Sequence, residues 1–380
     1  MTIPQTIGFP RMHKEQGEKR VFLPRFIQFL AKRGATIYLE EEYGARSGYT
    51  FCDYQKELEN IHTVSREEVL QKDIIIVLRS PTMAEFDQIR PGSILIAMLH
   101  YPTRPLRVQK LHERDIHAIS LDSIVSDSNI RLVENMKAVA WNGLETAFSL
   151  LEECWPGLHQ PNGKPLHALI LGVGMVGKHA VEAVTKLGSL ERNQQHISED
   201  GLGIVAITIG RNLTHHPQQM ERLLRQTDVL VDATQRRNAA QPVIPNAWLN
   251  WLPPHAVITD LAVDPYTLNA DPPVVRGIEG IPQGNLNKYV FLPNDPDWGK
   301  TVPATIPSMA RRTVVSCYSW PGIYPEACMR HYGEQLRPLL RRLLEVGYDA
   351  LSLKGDFFER ALYRASLKAW LTQTHDAAAG

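Results

Sequence analysis

Three glycines stand at the spacing G-x-G-x-x-G, directly after the apolar run His167 to Leu171. The residues that follow the second glycine have the pattern of an amphipathic helix. Between a strand and a helix, the first glycine permits a tight turn, the second lets the backbone approach a pyrophosphate, and the third lets helix and strand pack closely. The N–H groups at the start of the helix favour phosphate oxygens. We therefore predict a pyridine-nucleotide site formed by Gly172, Val173, Gly174, Met175, Val176 and Gly177.

The end of the next strand indicates which nucleotide is preferred. An NAD site normally has an acid there that binds the ribose 2′-hydroxyl, but this strand ends at Ile209 without one. Gly210 leaves room for a 2′-phosphate and Arg211 supplies a cation for it. NADP(H) is therefore the preferred cofactor, and NAD(H) is the alternative. In the NAD case Glu191 would have to supply the acid, and Arg211 would be a solvated loop cation. The residues assigned to the cofactor site here are Gly210, Arg211, Asn212 and Thr234.

A histidine is the best candidate for moving protons. His100 follows the apolar run Ser93 to Leu99, and the carboxyl ends of parallel strands form the binding crevice of such sheets. An imidazole with a pKa near neutrality transfers protons in both directions. A structural histidine is the alternative, because a lone histidine is more often structural.

These residues need two α/β units to position them. Apolar strand patterns alternate with helical patterns, which is typical of parallel sheets covered by helices. The predicted strands are Thr36 to Leu39, Ile74 to Leu78, Ser93 to Leu99 and His117 to Leu121, then His167 to Leu171, Ile204 to Ile209, Val229 to Asp232 and Ala256 to Thr259. Asn129 to Cys154 is predicted to be one long helix joining the units. The Pro-rich stretch Leu292 to Pro307 is predicted to cross back to the first.

Composition narrows the class of partner. The chain has 380 residues, and its 41 basic and 41 acidic side chains cancel, which argues against nucleic acid and anionic membranes as partners. Its four cysteines have neither disulfide-framework nor zinc-site spacing, so no metal is expected. The polar start has no secretory pattern and no apolar run is long enough to span a membrane. We predict a soluble, cytoplasmic protein with a small-molecule substrate.

Several motifs resemble one known family. The opening IGFPRMHKEQGEKRVFLPRF is similar to the N-terminal strand, E-x-R-V loop and following helix of the alanine dehydrogenase and pyridine nucleotide transhydrogenase superfamily, which includes the lysine-forming saccharopine dehydrogenases. LRSP at Leu78 to Pro81 is similar to that family's K-E-P, and MLHYP at Met98 to Pro102 to its L-H-L segment. TDLAVDP at Thr259 to Pro265 is similar to its D-x-x-x-D stretch beside the nicotinamide.

The resemblance implies an architecture and a set of roles. In this family a substrate domain made from both chain ends encloses a central nucleotide-binding domain, and the reaction occurs in the cleft between them. The implied fold is α/β with two Rossmann-like domains, in which residues 1–133 and 300–380 form the substrate domain and 134–299 the NAD(P)-binding domain. The implied roles are that Arg20 binds the substrate carboxylate, His100 acts on the carbonyl or imine, and Asp264 lies close to the nicotinamide and the reacting nitrogen.

One position departs from the family pattern. Arg79 stands where the family has a lysine. Arginine stays charged near neutrality and cannot exchange a proton there, but its planar fork grips carboxylates well. A role in binding substrate at this position is therefore favoured over a role in acid–base catalysis.

The function predicted from these residues is an NADP(H)-dependent oxidoreductase acting on an amino acid, imine or 2-oxo acid, by reductive amination or its reverse. The alternatives are a 2-hydroxy-acid dehydrogenase, a catalytically altered nucleotide-binding protein and a transhydrogenase subunit. Arg236 and Arg237 are interpreted either as contacts for cofactor phosphate or anionic substrate, or as solvated loop cations. The aromatic stretch Ser316 to Glu326 would line a cleft or contact another copy in a homo-oligomer.

Overall fold

The computed structural model describes residues 5–12, 16–155, 158, 164–236, 238–270 and 272–379. The strands are β1 Thr6–Phe9, β2 Thr36–Glu40, β3 Ile61–Val64, β4 Ile74–Arg79, β5 Ile94–Met98, β6 His117–Ser120, β7 Leu166–Leu171, β8 Ile204–Ile209, β9 Val229–Asp232, β10 Val257–Asp260, β11 Val290–Phe291 and β12 Thr313–Ser316. The helices are α1 Pro24–Ala31, α2 Phe51–Gln55, α3 Arg66–Val69, α4 Pro105–Glu113, α5 Met136–Cys154, α6 Met175–Val184, α7 Leu190–Ser198, α8 Arg211–Thr214, α9 Pro217–Leu224, α10 Trp298–Thr301, α11 Pro325–Val346, α12 Phe357–Arg364 and α13 Leu367–Ala379. The chain divides into two compact units, Met1–Asn135 with Tyr324–Gly380, and Met136–Ile323.

The first unit is built on a six-stranded sheet with the order β3-β2-β1-β4-β5-β6, and every pairing in it is parallel. This is the doubly wound order in which the direction of winding reverses between β1 and β4. Alternation along β4 sends Ile74 and Ile76 to the core on one face and Ile75 and Val77 to the core on the other. Both faces are therefore buried, which explains why the sequence of this strand is continuously apolar.

The C-terminal segment completes the first unit. Apolar side chains recur at intervals of three and four along α11, which places Met329, Leu336 and Leu343 on one side of the helix. These side chains are buried in the same core as Phe26 of α1 and Ile76 of β4. The two ends of the chain thus form one hydrophobic core.

The second unit has a sheet with the order β11-β12-β10-β9-β7-β8. Its pairings are parallel apart from the short antiparallel pair of β11 and β12. The direction of winding reverses between β7 and β9, so the carboxyl ends of these two strands flank the crevice in which doubly wound sheets bind ligands. Parallel α/β architecture with two Rossmann-like sheets is confirmed.

The predicted helix from Asn129 to Cys154 is wrong at its start, because α5 begins only at Met136. Asn129 has a left-handed backbone with φ of 59°. The Ser126 hydroxyl accepts hydrogen bonds from the N–H groups of Ser128 and Ile130 at 3.2 and 3.1 Å. This turn satisfies the backbone locally and prevents the helix from starting earlier.

The return to the first unit lies later along the chain than the Pro-rich stretch after Leu292. The strands on either side of that stretch, β11 and β12, both pair within the second sheet. The units divide between residues 135 and 136 and between 323 and 324, whereas the sequence placed the boundaries after residues 133 and 299. None of the helices within the described ranges is both long and apolar enough to cross a membrane.

Candidate functional site

The glycine turn after β7 contains both tightly packed and open positions. Gly172 has φ of 102°, and a Cβ atom there would lie 2.5 Å from the carbonyl oxygen of Ala233, which follows β9. A Cβ atom on Gly177 would lie 2.2 Å from the Gly172 carbonyl oxygen. At Gly174, by contrast, a Cβ atom would meet no protein atom within 4 Å. The first and third glycines are therefore required by the fold, whereas the second leaves open space in front of the helix.

The start of α6 fits a phosphate group. Gly174 is its N-cap and offers no side chain to the first N–H groups. Lys178 is the first residue whose N–H reaches back to the Gly174 carbonyl, at 2.9 Å. The earlier N–H groups of the helix, from Met175 on, are thus available to an anion at the positive end of the helix dipole. The neighbouring Val173 and Met175 side chains are exposed.

The residues after β8 are open and basic. A Cβ atom on Gly210 would meet nothing within 4 Å, and the Arg211 and Asn212 side chains are exposed. Arg211 Nη2 donates to the carbonyl oxygen of Gln235 at 3.3 Å, which ties the β8 end to the loop after β9. Glu191 lies in the first turn of α7, before β8 rather than after it.

Thr234 lies in a turn at the end of β9, where its hydrogen-bond donors are used within the turn. Its N–H and hydroxyl both donate to Asp232 Oδ1, at 3.0 and 2.7 Å. Asp232 is fully buried, and its Oδ2 has no hydrogen-bond partner among the described residues. Burial raises the pKa of this carboxyl. A Cβ atom on Gly277 would lie 2.2 Å from Asp232 Oδ2, so a glycine is needed beside it.

A buried ion pair lies beside this acid. The register places Asp232, Asp260 and Ser316 side by side at the carboxyl ends of β9, β10 and β12. The buried guanidinium of Arg276 forms an ion pair with Asp260 and donates to the Ser316 hydroxyl at 2.7 Å. Burial lowers the pKa of Arg276 to about 10. The ion pair of Arg276 with Asp260 was not predicted from the sequence, although the acids Asp232 and Asp260 at two strand ends could have indicated a buried charged group.

Asp264 is held by an arginine of the neighbouring strand end. Arg236 Nη2 donates to Asp264 Oδ2 at 2.7 Å, and the guanidinium also donates to the carbonyl oxygens of Ala239, Gln241 and Val275. Arg236 is almost completely buried. It is thus neither a solvated loop cation nor an exposed phosphate ligand. Arg237 lies outside the described residues.

In the first unit, His100 is paired with an acid that the sequence did not reveal. Its Nδ1 lies 3.2 Å from Asp122 Oδ2, while 51% of the imidazole side chain is exposed. Asp122 Oδ1 accepts the backbone N–H groups of Leu99 and His100 and the Ser120 hydroxyl, at 3.0, 3.2 and 2.8 Å. Burial alone would raise the pKa of Asp122, but the hydrogen bonds from His100 and Ser120 and the charge of His100 bring it down to about 2.

The backbone at His100 is strained and held from both sides. His100 has φ of 52° and ψ of 51°, a left-handed conformation that costs a non-glycine residue free energy. The N–H of Leu99 donates to Asp122, and the carbonyl oxygen of Leu99 accepts a hydrogen bond from Arg107 Nη1 at 2.7 Å. Burial, with the nearby charge of Arg104, lowers the pKa of Arg107 to about 10. Strain that is maintained by several contacts is typical of functional positions.

Arg20 and Arg79 lie near the β1/β4 reversal of the same sheet. Arg20 is buried against Glu18, with Nε donating to Glu18 Oε1 at 2.9 Å and Nη2 forming an ion pair with Oε2. Burial alone would raise the pKa of Glu18, but Arg20, with a contribution from Arg79, lowers it. Arg79 is half-buried as the last residue of β4, and its Cα pairs with that of Met98 in β5. Arg79 and His100 therefore come from neighbouring strand ends.

Comparison with known proteins shows which families the chain is similar to. A family model described as Alanine dehydrogenase/PNT, N-terminal domain matches residues 8–140. The alanine dehydrogenase of Geobacillus stearothermophilus is 23% identical over 271 residues, which cover 68% of this chain and 72% of that protein. The NAD(P) transhydrogenase subunit alpha of Haemophilus influenzae is 24% identical over 192 residues, which cover 49% of this chain and 37% of that protein.

Solved structures show the same fold. An L-alanine dehydrogenase matches with a TM-score of 0.68 at 19% identity, over 95% of this chain and 94% of that one. The transhydrogenase from Sinorhizobium meliloti matches with a TM-score of 0.60 at 15% identity, over 90% of this chain and 95% of that one. Together these likenesses confirm the resemblance to the alanine dehydrogenase and pyridine nucleotide transhydrogenase superfamily, with its N-terminal domain matched at residues 8–140.

Proposed function

We propose that the chain is an NADP(H)-dependent oxidoreductase that acts on an amino acid, imine or 2-oxo acid. Relatives named as alanine dehydrogenases and as an NAD(P) transhydrogenase subunit support a nicotinamide nucleotide as the cofactor. The observation that supports catalysis most directly is the pairing of His100 with Asp122 at a strained, half-exposed position. A purely structural histidine needs neither the strain nor the exposure.

The nucleotide would bind at the carboxyl ends of β7, β8 and β9. The open space at Gly174 and the first N–H groups of α6 suit its pyrophosphate. Gly210 and Arg211 suit a 2′-phosphate, with Asn212 beside them. Thr234 shapes the turn against which Gly172 packs. When bound, the nicotinamide supplies or accepts the hydride.

His100 is proposed to move the proton at the oxygen or nitrogen that is bonded to the carbon being reduced or oxidised. Because Asp122 lies against Nδ1, it favours the tautomer with the proton on that nitrogen and fixes the ring plane. The other ring nitrogen, Nε2, is then the atom that gives a proton to a carbonyl oxygen or imine nitrogen during reduction and removes one during oxidation. Asp122 is thus a positioning residue for His100.

Arg79 is proposed to bind the substrate carboxylate. It lies one strand away from His100 at the carboxyl end of β4, and its guanidinium can make two parallel hydrogen bonds to a carboxylate. Arg20 is buried against Glu18 and is proposed to support this site from the segment after β1. A carboxylate next to the reacting carbon is the group that amino acids and 2-oxo acids share.

A second candidate function is favoured by the ion pair of Arg236 and Asp264. An acid that stabilises a reacting cationic nitrogen acts through its negative charge, and here Arg236 offsets that charge at 2.7 Å. Reduction of a 2-oxo acid to a 2-hydroxy acid involves no amine and needs only the hydride, His100 and Arg79. This makes a 2-hydroxy-acid dehydrogenase the alternative.

The absorbance of reduced nicotinamide distinguishes these functions. NADPH and NADH are supplied separately with a panel of 2-oxo acids, each with and without ammonium or an amino-acid co-substrate. The proposed function predicts turnover that requires the amine, whereas equal turnover without it would favour the hydroxy acid. In the latter case Arg236→Gln should raise the share of amine-dependent turnover. An absence of turnover across the panel, in a protein that binds NADPH, would support a nucleotide-binding protein without catalysis.

A further inference from the structure

The sheet edges of the chain are not equally protected against association. Within the described residues, β3 has four residues that include His62 and Thr63, and β11 has two residues. The edge at β6 is covered, since Ile119 bridges to Ser366 and the N–H of Ser120 donates to the carbonyl oxygen of Ala365. Short, polar or covered edges are the usual means by which proteins avoid pairing with another strand.

The edge at β8 has none of these features. Its sequence, Ile-Val-Ala-Ile-Thr-Ile, is six residues long and contains no charge, proline or glycine. Its register with β7 is regular over all six residues, without a bulge. In the part of the chain that the structure describes, β8 pairs with β7 alone. Its outer side therefore presents backbone N–H and C=O groups that an added strand could pair with.

Exposed apolar side chains occur in β8 and in the residues just before it. Val205 in the strand is 41% exposed, and Leu202 and Ile197 just before it are 61% and 64% exposed. The end of α7 is fixed against the start of β8, because the N–H of Gly203 donates to His196 Nε2 at 3.0 Å. This hydrogen bond places His196, next to Ile197, against the residue that precedes β8, so exposed apolar side chains are found at the start of this strand, as expected for a contact with another protein.

The charges at the two ends of β8 identify the partner. Asp200 precedes the strand and Arg211 follows it, and both are exposed. Two copies of β8 that pair in antiparallel fashion about a two-fold axis bring the acidic end of each strand to the basic end of the other. A two-fold contact requires this kind of self-complementarity. We propose that two copies of this chain form a dimer in which the two β8 strands join the second sheets into one continuous sheet.

The test measures the dissociation constant by sedimentation equilibrium of the full chain without nucleotide, so that no 2′-phosphate competes for Arg211. Val205→Lys places a positive charge within the contact, against the apolar strand of the other copy. We expect the dissociation constant to rise by at least about tenfold, since burying an unpaired charge is strongly unfavourable. Leu190→Lys is the matched control, because Leu190 is 56% exposed at the other end of α7. It should leave association unchanged.

A second measurement does not depend on a variant. Hydrogen exchange of the unmodified chain at low and high concentration should show slower exchange at high concentration for those β8 amides that do not donate to β7. A chain that stays monomeric to about 100 μM, where even weak contacts are populated, would overturn the proposal. So would unchanged association of Val205→Lys together with β8 exchange that does not depend on concentration.

Discussion

At the scale of residues, the pairing of His100 with Asp122 could not be predicted from the sequence. The histidine was visible because it follows an apolar strand, but its acid lies 22 residues later in a short turn after β6. Only the parallel pairing of β5 with β6 brings the two together. Arg236 and Asp264 are similarly separated by 28 residues and joined by the pairing of β9 with β10. Candidate residues can therefore be predicted singly, but their partners depend on strand order.

Asp122→Asn tests the role of this pair. The amide keeps the size of the side chain but offers Nδ1 of His100 no negative charge, so kcat should fall by about 10²-fold with KM and NADPH affinity little changed. Ser120→Ala is the control, because it removes one hydrogen bond to Asp122 and leaves its charge in place. Steady-state kinetics with the best substrate from the panel measures both. A kcat within threefold of the unmodified protein would contradict the positioning role.

We expect cofactor preference to depend on two residues after β8. Changing Gly210→Asp and Arg211→Ala together restores an acid for the ribose hydroxyl and removes the cation for the 2′-phosphate, so calorimetry should show preference moving from NADPH to NADH. Gly210 has room for a side chain, since a Cβ atom there meets nothing within 4 Å. Tighter binding of NADH than NADPH by the unmodified chain would contradict the assignment.

At the scale of elements, strands were more predictable than helix starts. Buried parallel strands appear as apolar runs, and Ile204–Ile209 and Val229–Asp232 have the predicted bounds. The polar stretch after Ser189 forms α7, which begins where the Ser189 hydroxyl accepts the N–H of Arg192. The prediction of where α5 begins was wrong, because the apolar periodicity continues into the preceding turn, which is formed by local hydrogen bonds. Periodicity shows which face a segment buries, whereas its ends depend on caps.

Gly174→Val tests the strand, turn and helix that are proposed to form the nucleotide site. The added side chain enters open space and leaves the fold intact, but it occupies the place of the pyrophosphate, so NADPH affinity should fall by more than about tenfold. Gly299→Val is a control at another glycine where a Cβ atom would meet nothing within 4 Å. Calorimetric titration together with circular dichroism separates loss of binding from loss of fold. Unchanged affinity in a folded Gly174→Val protein would mean that the glycine turn has only a structural role.

At the scale of the whole molecule, both units have the same kind of sheet, with charged side chains at the carboxyl ends of its strands. Each sheet reverses its winding next to its first strand, and each collects charged side chains at the carboxyl ends of the strands there. In the first unit the buried acids Glu18, Glu40, Asp122 and Glu359 each lie against a basic side chain. In the second unit Asp232 is buried with one oxygen that has no hydrogen-bond partner in the described part of the chain. The two units should therefore respond differently to acid.

The sign of each response follows from the direction of the pKa shift. The pKa of Asp122 is about 2 in the folded chain, below the value of about 3.9 for an unfolded chain, so its contribution of roughly 2 kcal/mol is present above pH 4 and lost as the pH falls toward 2. Burial raises the pKa of Asp232, so the folded state binds this proton more tightly than the unfolded state does. The unfavourable free energy of burying the charged carboxylate therefore decreases as the pH falls and the carboxyl is protonated.

Asp122→Asn should thus destabilise the first unit at pH 7 and have less effect near pH 2. Asp232→Asn should stabilise the second unit at pH 7 and have less effect near pH 4. Hydrogen exchange of β5 and β6 against β9 and β10, followed across this range, measures each unit separately, and a stabilising effect of Asp232→Asn that grows on acidification would contradict the assignment.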